Sequence, residues 1–89
     1  MASTIRFADK ALADLKRLGP EPRRRIVRCL ETRVAPAPDP RAFGRPLTGD
    51  KVGLWRYRVG DYRIICRITD GGDLIVLVLR VGHRRDVYN

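Results

Sequence analysis

The fifteen residues from Leu54 to Ile68 alternate apolar and basic side chains on either side of Gly60-Asp61, a two-residue connection that favours a tight β-hairpin. With Gly60 and Asp61 at the centre of the turn, the register follows by counting. Val59 opposes Tyr62, Arg58 opposes Arg63, Tyr57 opposes Ile64, Arg56 opposes Ile65, Trp55 opposes Cys66 and Leu54 opposes Arg67. Successive strand side chains point to opposite faces. One face therefore gathers Trp55, Tyr57, Val59, Tyr62, Ile64 and Cys66, a core surface in which the three aromatics belong to packing. The other gathers Arg56, Arg58, Arg63 and Arg67 around Leu54 and Ile65.

Like charges directly opposite each other destabilise a strand pair, and Arg58 faces Arg63. Two readings are open: the arginines are dispersed in solvent, where salt screens them, or they meet a polyanion. Composition bears on the choice. The chain has 89 residues, three lysines among nineteen cations, ten acidic residues and a net charge of +9. Arginine so outnumbering lysine suits phosphate, because its planar fork binds phosphate through two parallel hydrogen bonds. A basic domain of this size fits nucleic acid or an acidic protein partner.

The length allows one domain, 1–89, with a small core. Cys29 and Cys66 fall in apolar patterns and read as small core residues, with neither a disulfide nor a metal site. No apolar run is long enough for a membrane span and the amino terminus lacks signal-peptide features, so the expected location is cytoplasmic, away from membranes.

In chain order, residues 4–7 make a short strand with Ile5 and Phe7 on one face. From Asp9 as N-cap, Ala11, Leu12, Leu15 and Leu18 recur at helical spacing up to Gly19-Pro20, which stops the helix. Pro22 suits the first turn of a second helix with Ile26, Val27, Leu30 and Val34 as its buried stripe. Its other face carries Arg23, Arg24, Arg25, Arg28 and Arg33, either solvated or able to grip RNA backbone or an acidic helix of a partner. Residues 35–51 form a proline-rich connection, expected to cross the sheet with Phe43 and Leu47 anchored on the core. The apolar run 74–79 reads as a central strand covered on both faces. Just beyond its end come His83, Arg84, Arg85 and Tyr88, a place where a rigid element can hold reactive groups at a surface.

The order helix, helix, Pro-Leu-x-Gly loop, Gly-Leu-Trp-Arg-Tyr-Arg-Val-Gly-Asp-Tyr-Arg-Ile-Ile hairpin and Val-Gly-His-Arg-Arg-Asp-Val-Tyr ending resembles the RelE/ParE superfamily of toxins over essentially the full chain, and its RelE branch most. The resemblance implies an α+β fold with two N-terminal helices packed on a twisted, mainly antiparallel four-stranded sheet. It further implies a type II toxin–antitoxin toxin held inactive by a cognate RelB-like antitoxin. RelE-type members cut messenger RNA, commonly on the ribosome, without a cofactor. The family's basic positions before the turn fall on Arg56 and Arg58, its Tyr-Arg arginine on Arg63, the basic residue after Val-Gly-x on Arg84 beside His83, and the terminal aromatic on Tyr88. Lys51, Arg67, Arg80 and Arg85 are expected to make further nucleic-acid contacts.

The implied reaction is attack of a ribose 2′-OH on the adjacent phosphate, which leaves a 2′,3′-cyclic phosphate and a 5′-OH. It needs charge stabilisation on the phosphorane and a path for two protons. Arg63 and Arg84 suit the first need, supported by Arg56 and Arg58. Some relatives carry a lysine where this chain has arginine, and arginine stays protonated. That leaves His83 as a candidate proton acceptor, with a structural role as its alternative, and Tyr88 for stacking, ribose binding or acid–base chemistry. The alternative function is a ParE-like inhibitor of DNA gyrase that cuts nothing; a third is a basic module that binds only its antitoxin.

Overall fold

The computed structural model describes residues 3–83. Within it the chain runs β1 (Thr4–Phe7), α1 (Asp9–Leu18), α2 (Pro20–Cys29), β2 (Arg45–Pro46), β3 (Leu54–Val59), β4 (Tyr62–Gly71) and β5 (Asp73–His83). The five strands form one sheet in the order β1-β5-β4-β3-β2. β1 pairs parallel with β5 and every other pair is antiparallel. The expected four-stranded sheet is thus five-stranded and mixed, and a strand precedes the helices. The additional strand, β2, lies in the proline-rich connection. It consists of two residues at the sheet edge, where Pro46 can sit without being asked for an inward N–H.

Glycine punctuates the helices as the sequence implies. Gly19, with φ +92°, ends α1, and Pro20 opens α2 in the next position. Asp9 is not the N-cap; Ala8 occupies that position and Asp9 is the first helical residue, where its charge still favours the helix N-terminus. α2 runs on through a wide π-helical turn, Leu30–Val34, closed by the Ala35 amide donating to the Leu30 carbonyl at 2.8 Å. Ile26, Leu30 and Val34 are buried against the sheet.

Both helices cover one face of the sheet. The core there consists of Ala11, Leu15, Ile26, Leu30 and Val34 from the helical layer against Tyr57, Ile64, Cys66, Val76, Val78 and Val81, with Ile5, Phe7, Val59, Tyr62 and Ile68 packed around them. The hairpin has the register counted from the sequence, all six pairs included. Gly60 holds φ +58° at the turn, a left-handed conformation natural to glycine. Tyr57 is buried, and its hydroxyl donates to the Pro40 carbonyl at 2.7 Å, which pins the connecting segment to the sheet. Burial drives the Tyr57 phenol well above its ordinary range.

Two expectations are corrected around this core. Phe43 does not anchor the connection; it ends a 3-10 turn, Pro40–Phe43, and is 50% exposed. The apolar run in β5 is buried on the helix side only, with Ile75, Leu77 and Leu79 half-covered on the other. β5 also continues past the run to His83, by way of a bulge: Ile65 pairs with Arg80 and Cys66 with Val78, leaving Leu79 between them without an opposite residue. The extra residue shifts the alternation so that Val81 faces the core. β1 covers β5 only as far as Val78. Beyond it the exposed edge is closed by Asp14 of α1, which accepts from the Val81 amide at 2.9 Å and from Arg80 Nε at 2.9 Å.

Among the described residues no helix is long and apolar enough to cross a membrane.

Candidate nucleic-acid interface

The face of the sheet away from the helices is lined by arginine. In register across the strands, Arg45, Arg56, Ile65 and Arg80 make one row, and Arg58, Arg63 and Gly82 the next. A third row, on the other side of the first, holds Leu54, Arg67, Leu77 and Arg6. Arg58 is exposed at the strand edge and Arg56 half-buried. Arg63 is different: it is 7% exposed, and its Nε and Nη1 have no hydrogen-bond partner among the described residues. Burying an unpaired guanidinium is costly, and buried polar groups are almost always satisfied. Gly82, opposite it, contributes no side chain. A guanidinium buried in a cationic face with donors left unpartnered among the described residues suits a phosphate.

Other residues named from the sequence are farther away or engaged by other groups. His83 pairs with Tyr62, so its ring projects to the helix side, edge-on to the Tyr62 ring at 6.1 Å between centroids. It lines a small cleft with Asp14, Arg17 and Leu18 and does not join Arg63. Arg80 is engaged by Asp14, with Nη2 at 3.3 Å from Oδ1 besides its Nε contact. Asp14 is buried; burial pulls its pKa up, but the hydrogen bonds of Arg80 and Val81 and the charges of Arg80 and Arg17 outweigh this and hold it below the ordinary value. The same pair raises the Arg80 pKa. Arg67 shares the Arg63 face but stands four residues along β4, roughly 13 Å away at strand rise. Lys51 ends the 3-10 turn Gly49–Lys51 before β3, also remote from the hairpin turn. Arg84, Arg85 and Tyr88 lie outside the described residues.

On the flank of the sheet, α2 and the end of β3 not covered by β2 enclose a groove that sequence reading left undecided. Arg25, Arg28, Arg33 and Arg58 line an open cleft there of about 380 Å³. Cys29, expected in the core, is half-buried at its floor, and burial raises its thiol pKa.

The comparisons with known proteins agree with this architecture. The family described as ParE toxin of type II toxin-antitoxin system, parDE, matches residues 5–88. Toxin RelG of Mycobacterium tuberculosis is 34% identical over 88 residues, covering 99% of this chain and 98% of that protein. The chain belongs to the RelE/ParE superfamily of toxins. Among solved structures, the toxin is similar to the RelBE2 toxin-antitoxin complex of Mycobacterium tuberculosis, with TM-score 0.83 and 32% identity over 94% of this chain and 100% of the other. It is also similar to the archaeal RelE-RelB complex of Pyrococcus horikoshii, with TM-score 0.63 and 25% identity over 98% of this chain and all of the other.

Two residues that build this region of the toxin went unread in the sequence. Asp14 stands with Ala11, Leu15 and Leu18 at helical spacing, so an acidic residue on the buried stripe was the available signal. Arg45 enters the arginine face only through β2, for which two residues of sequence gave no periodicity.

Proposed function

We propose that this toxin is a metal-independent endoribonuclease that cuts messenger RNA, in association with the ribosome, and so inhibits translation. The observation that carries the reading is Arg63, a buried guanidinium with two donors that have no partner among the described residues, in the middle of an arginine-lined face. The likeness to toxin RelG and to RelE-type complexes supports it.

In this reading the scissile phosphate accepts hydrogen bonds from the Arg63 guanidinium, whose Nε and Nη1 are without partners among the described residues. As the 2′-OH attacks, negative charge grows on the equatorial oxygens, and a fixed guanidinium in a water-poor site stabilises that charge more than it does the ground state. Arg58, opposite Arg63, and Arg56 in the next row hold the adjoining phosphates in line. None of these arginines accepts a proton at neutral pH. With His83 on the helix side, the proton-transfer role passes to Tyr88, and Arg84 adds charge at the phosphate, as the family resemblance implies. The toxin acts in the cytoplasm and is neutralised by a RelB-like antitoxin whose acidic groups meet the same cations.

The match to the ParE family favours one other reading, a gyrase inhibitor without nuclease activity. Induced expression followed by mapping of transcript 5′ ends separates the two. Cuts within open reading frames, lost with Arg63→Ala, support the nuclease; a DNA-damage response over intact transcripts supports gyrase and overturns it.

A further inference from the structure

Phe43 is half exposed at the end of the Pro40–Phe43 turn, and the Arg33 guanidinium lies over its ring at 5.7 Å from the centroid. It also stands where two clefts meet. One, of about 190 Å³, runs from Phe43 and Arg58 toward Cys29 at the end of α2 and Arg33 on the turn that follows it. The other, of about 230 Å³, runs from Phe43 and Arg58 to Arg45 and Arg56 on the arginine face. Past Arg33 and Arg58 the first opens into the wider groove of Arg25 and Arg28. Among the described residues lining these three clefts none is acidic.

We infer that this path is a second RNA-binding track, continuous with the Arg63 face, in which a base flanking the cleavage site stacks on Phe43 and the following phosphates run along Arg33, Arg28 and Arg25. The inference rests on the proposed nuclease function and extends its footprint from the sheet to the helical layer. Single-stranded nucleic acid alternates a flat ring with a phosphate, and it binds best where aromatic platforms alternate with cations. Phe43 and the arginines of α2 and the turn after it supply that alternation. An acidic peptide would use the cations but not the ring, because the face of an aromatic ring carries negative charge density and repels carboxylates. The segment is held ready: Tyr57 pins Pro40 at 2.7 Å, and Asp39 accepts from the Arg41 amide at 3.0 Å. The wide turn Leu30–Val34 carries Arg33, whose cation meets the Phe43 ring.

The test is fluorescence anisotropy of the full chain with uncleavable 2′-O-methyl RNA of two lengths, a trinucleotide and an oligonucleotide of about twelve nucleotides. Phe43→Ala is expected to weaken the long probe about tenfold and leave the trinucleotide unchanged, while Phe43→Tyr, which keeps the ring, restores the parent affinity. Arg28→Gln is expected to lower the salt dependence of long-probe binding by about 0.7 in log–log slope, the effect of one phosphate contact on a single strand. Arg63→Met weakens both lengths. Parent-like binding of the long probe by Phe43→Ala and Arg28→Gln overturns the track and leaves the Arg63 site standing. Loss of poly-glutamate binding in those variants with RNA binding intact overturns it as well. Weakening of the long probe by Phe43→Ala alongside an Arg63→Met variant that binds both probes like the parent supports the track and instead removes the Arg63 site.

Discussion

Replacing Arg63 by methionine should make the toxin more stable and inactive. Methionine keeps most of the apolar stem and removes the guanidinium, whose Nε and Nη1 are buried without partners among the described residues. Each unsatisfied buried donor costs about 1–3 kcal/mol, and the unpaired charge adds to that. The low end for the two donors gives about 2 kcal/mol in favour of the variant. For a domain of this size 1 kcal/mol shifts Tm by about 4–8 °C, so the melting temperature should rise by about 8–16 °C. Thermal unfolding followed by circular dichroism in a phosphate-free buffer reads this directly. Added inorganic phosphate supplies the second arm: at about ten times its Kd it should stabilise the parent by about 1.4 kcal/mol and leave Arg63→Met unmoved. Cleavage should fall by about 10²–10³, the loss seen when one donor to a developing oxyanion is removed. A variant that melts below the parent, with phosphate raising both alike, would refute the reasoning and make Arg63 a structural residue.

The other expectations concern the supports of that face. Asp14→Asn should destabilise the fold by about 1–3 kcal/mol in urea titrations at neutral pH, because the Val81 amide and the half-exposed Arg80 lose a charged acceptor. Since the Asp14 pKa is lowered on folding, its contribution is present above the unfolded value of 3.8 and fades as pH falls through the lower folded value, so parent and variant should converge in acid. Tyr57→Phe should cost about 0.5–1.5 kcal/mol by releasing the Pro40 carbonyl, measured by chemical denaturation. His83→Gln should retain RNA cleavage within a few-fold of the parent in a gel assay, as its ring lies on the helix side of the sheet; loss of two orders of magnitude would return it to the reaction.

Much of this was legible before any coordinates, for identifiable reasons. The hairpin register rests on period-2 alternation and a glycine turn, both local, and all six pairs stood. The two helices rest on stripes of aliphatic residues separated by Gly19-Pro20. What escaped depends on contacts distant in sequence. The bulge at Leu79 reverses the alternation of β5 and carries the strand to His83, and its partner carboxylate, Asp14, is more than sixty residues away. A periodic reading therefore ended the strand at Leu79 and placed His83 beyond it, whereas His83 pairs with Tyr62 on the helix side. β2 is too short to have a period, and Phe43 read as an anchor because hydrophobicity alone does not say whether a ring is covered. For Arg63 the sequence supplied the face; that its Nε and Nη1 are buried without partners among the described residues is a property of the assembled sheet.

End-group analysis of RNA incubated with the purified toxin, with and without ribosomes, bears most directly on the reading of Arg63. Fragments ending in 2′,3′-cyclic phosphate and beginning with 5′-OH, absent when Arg63→Ala replaces the parent, are the predicted result. Intact RNA in every reaction, alongside gyrase-dependent DNA breaks in the presence of the same protein, would contradict it.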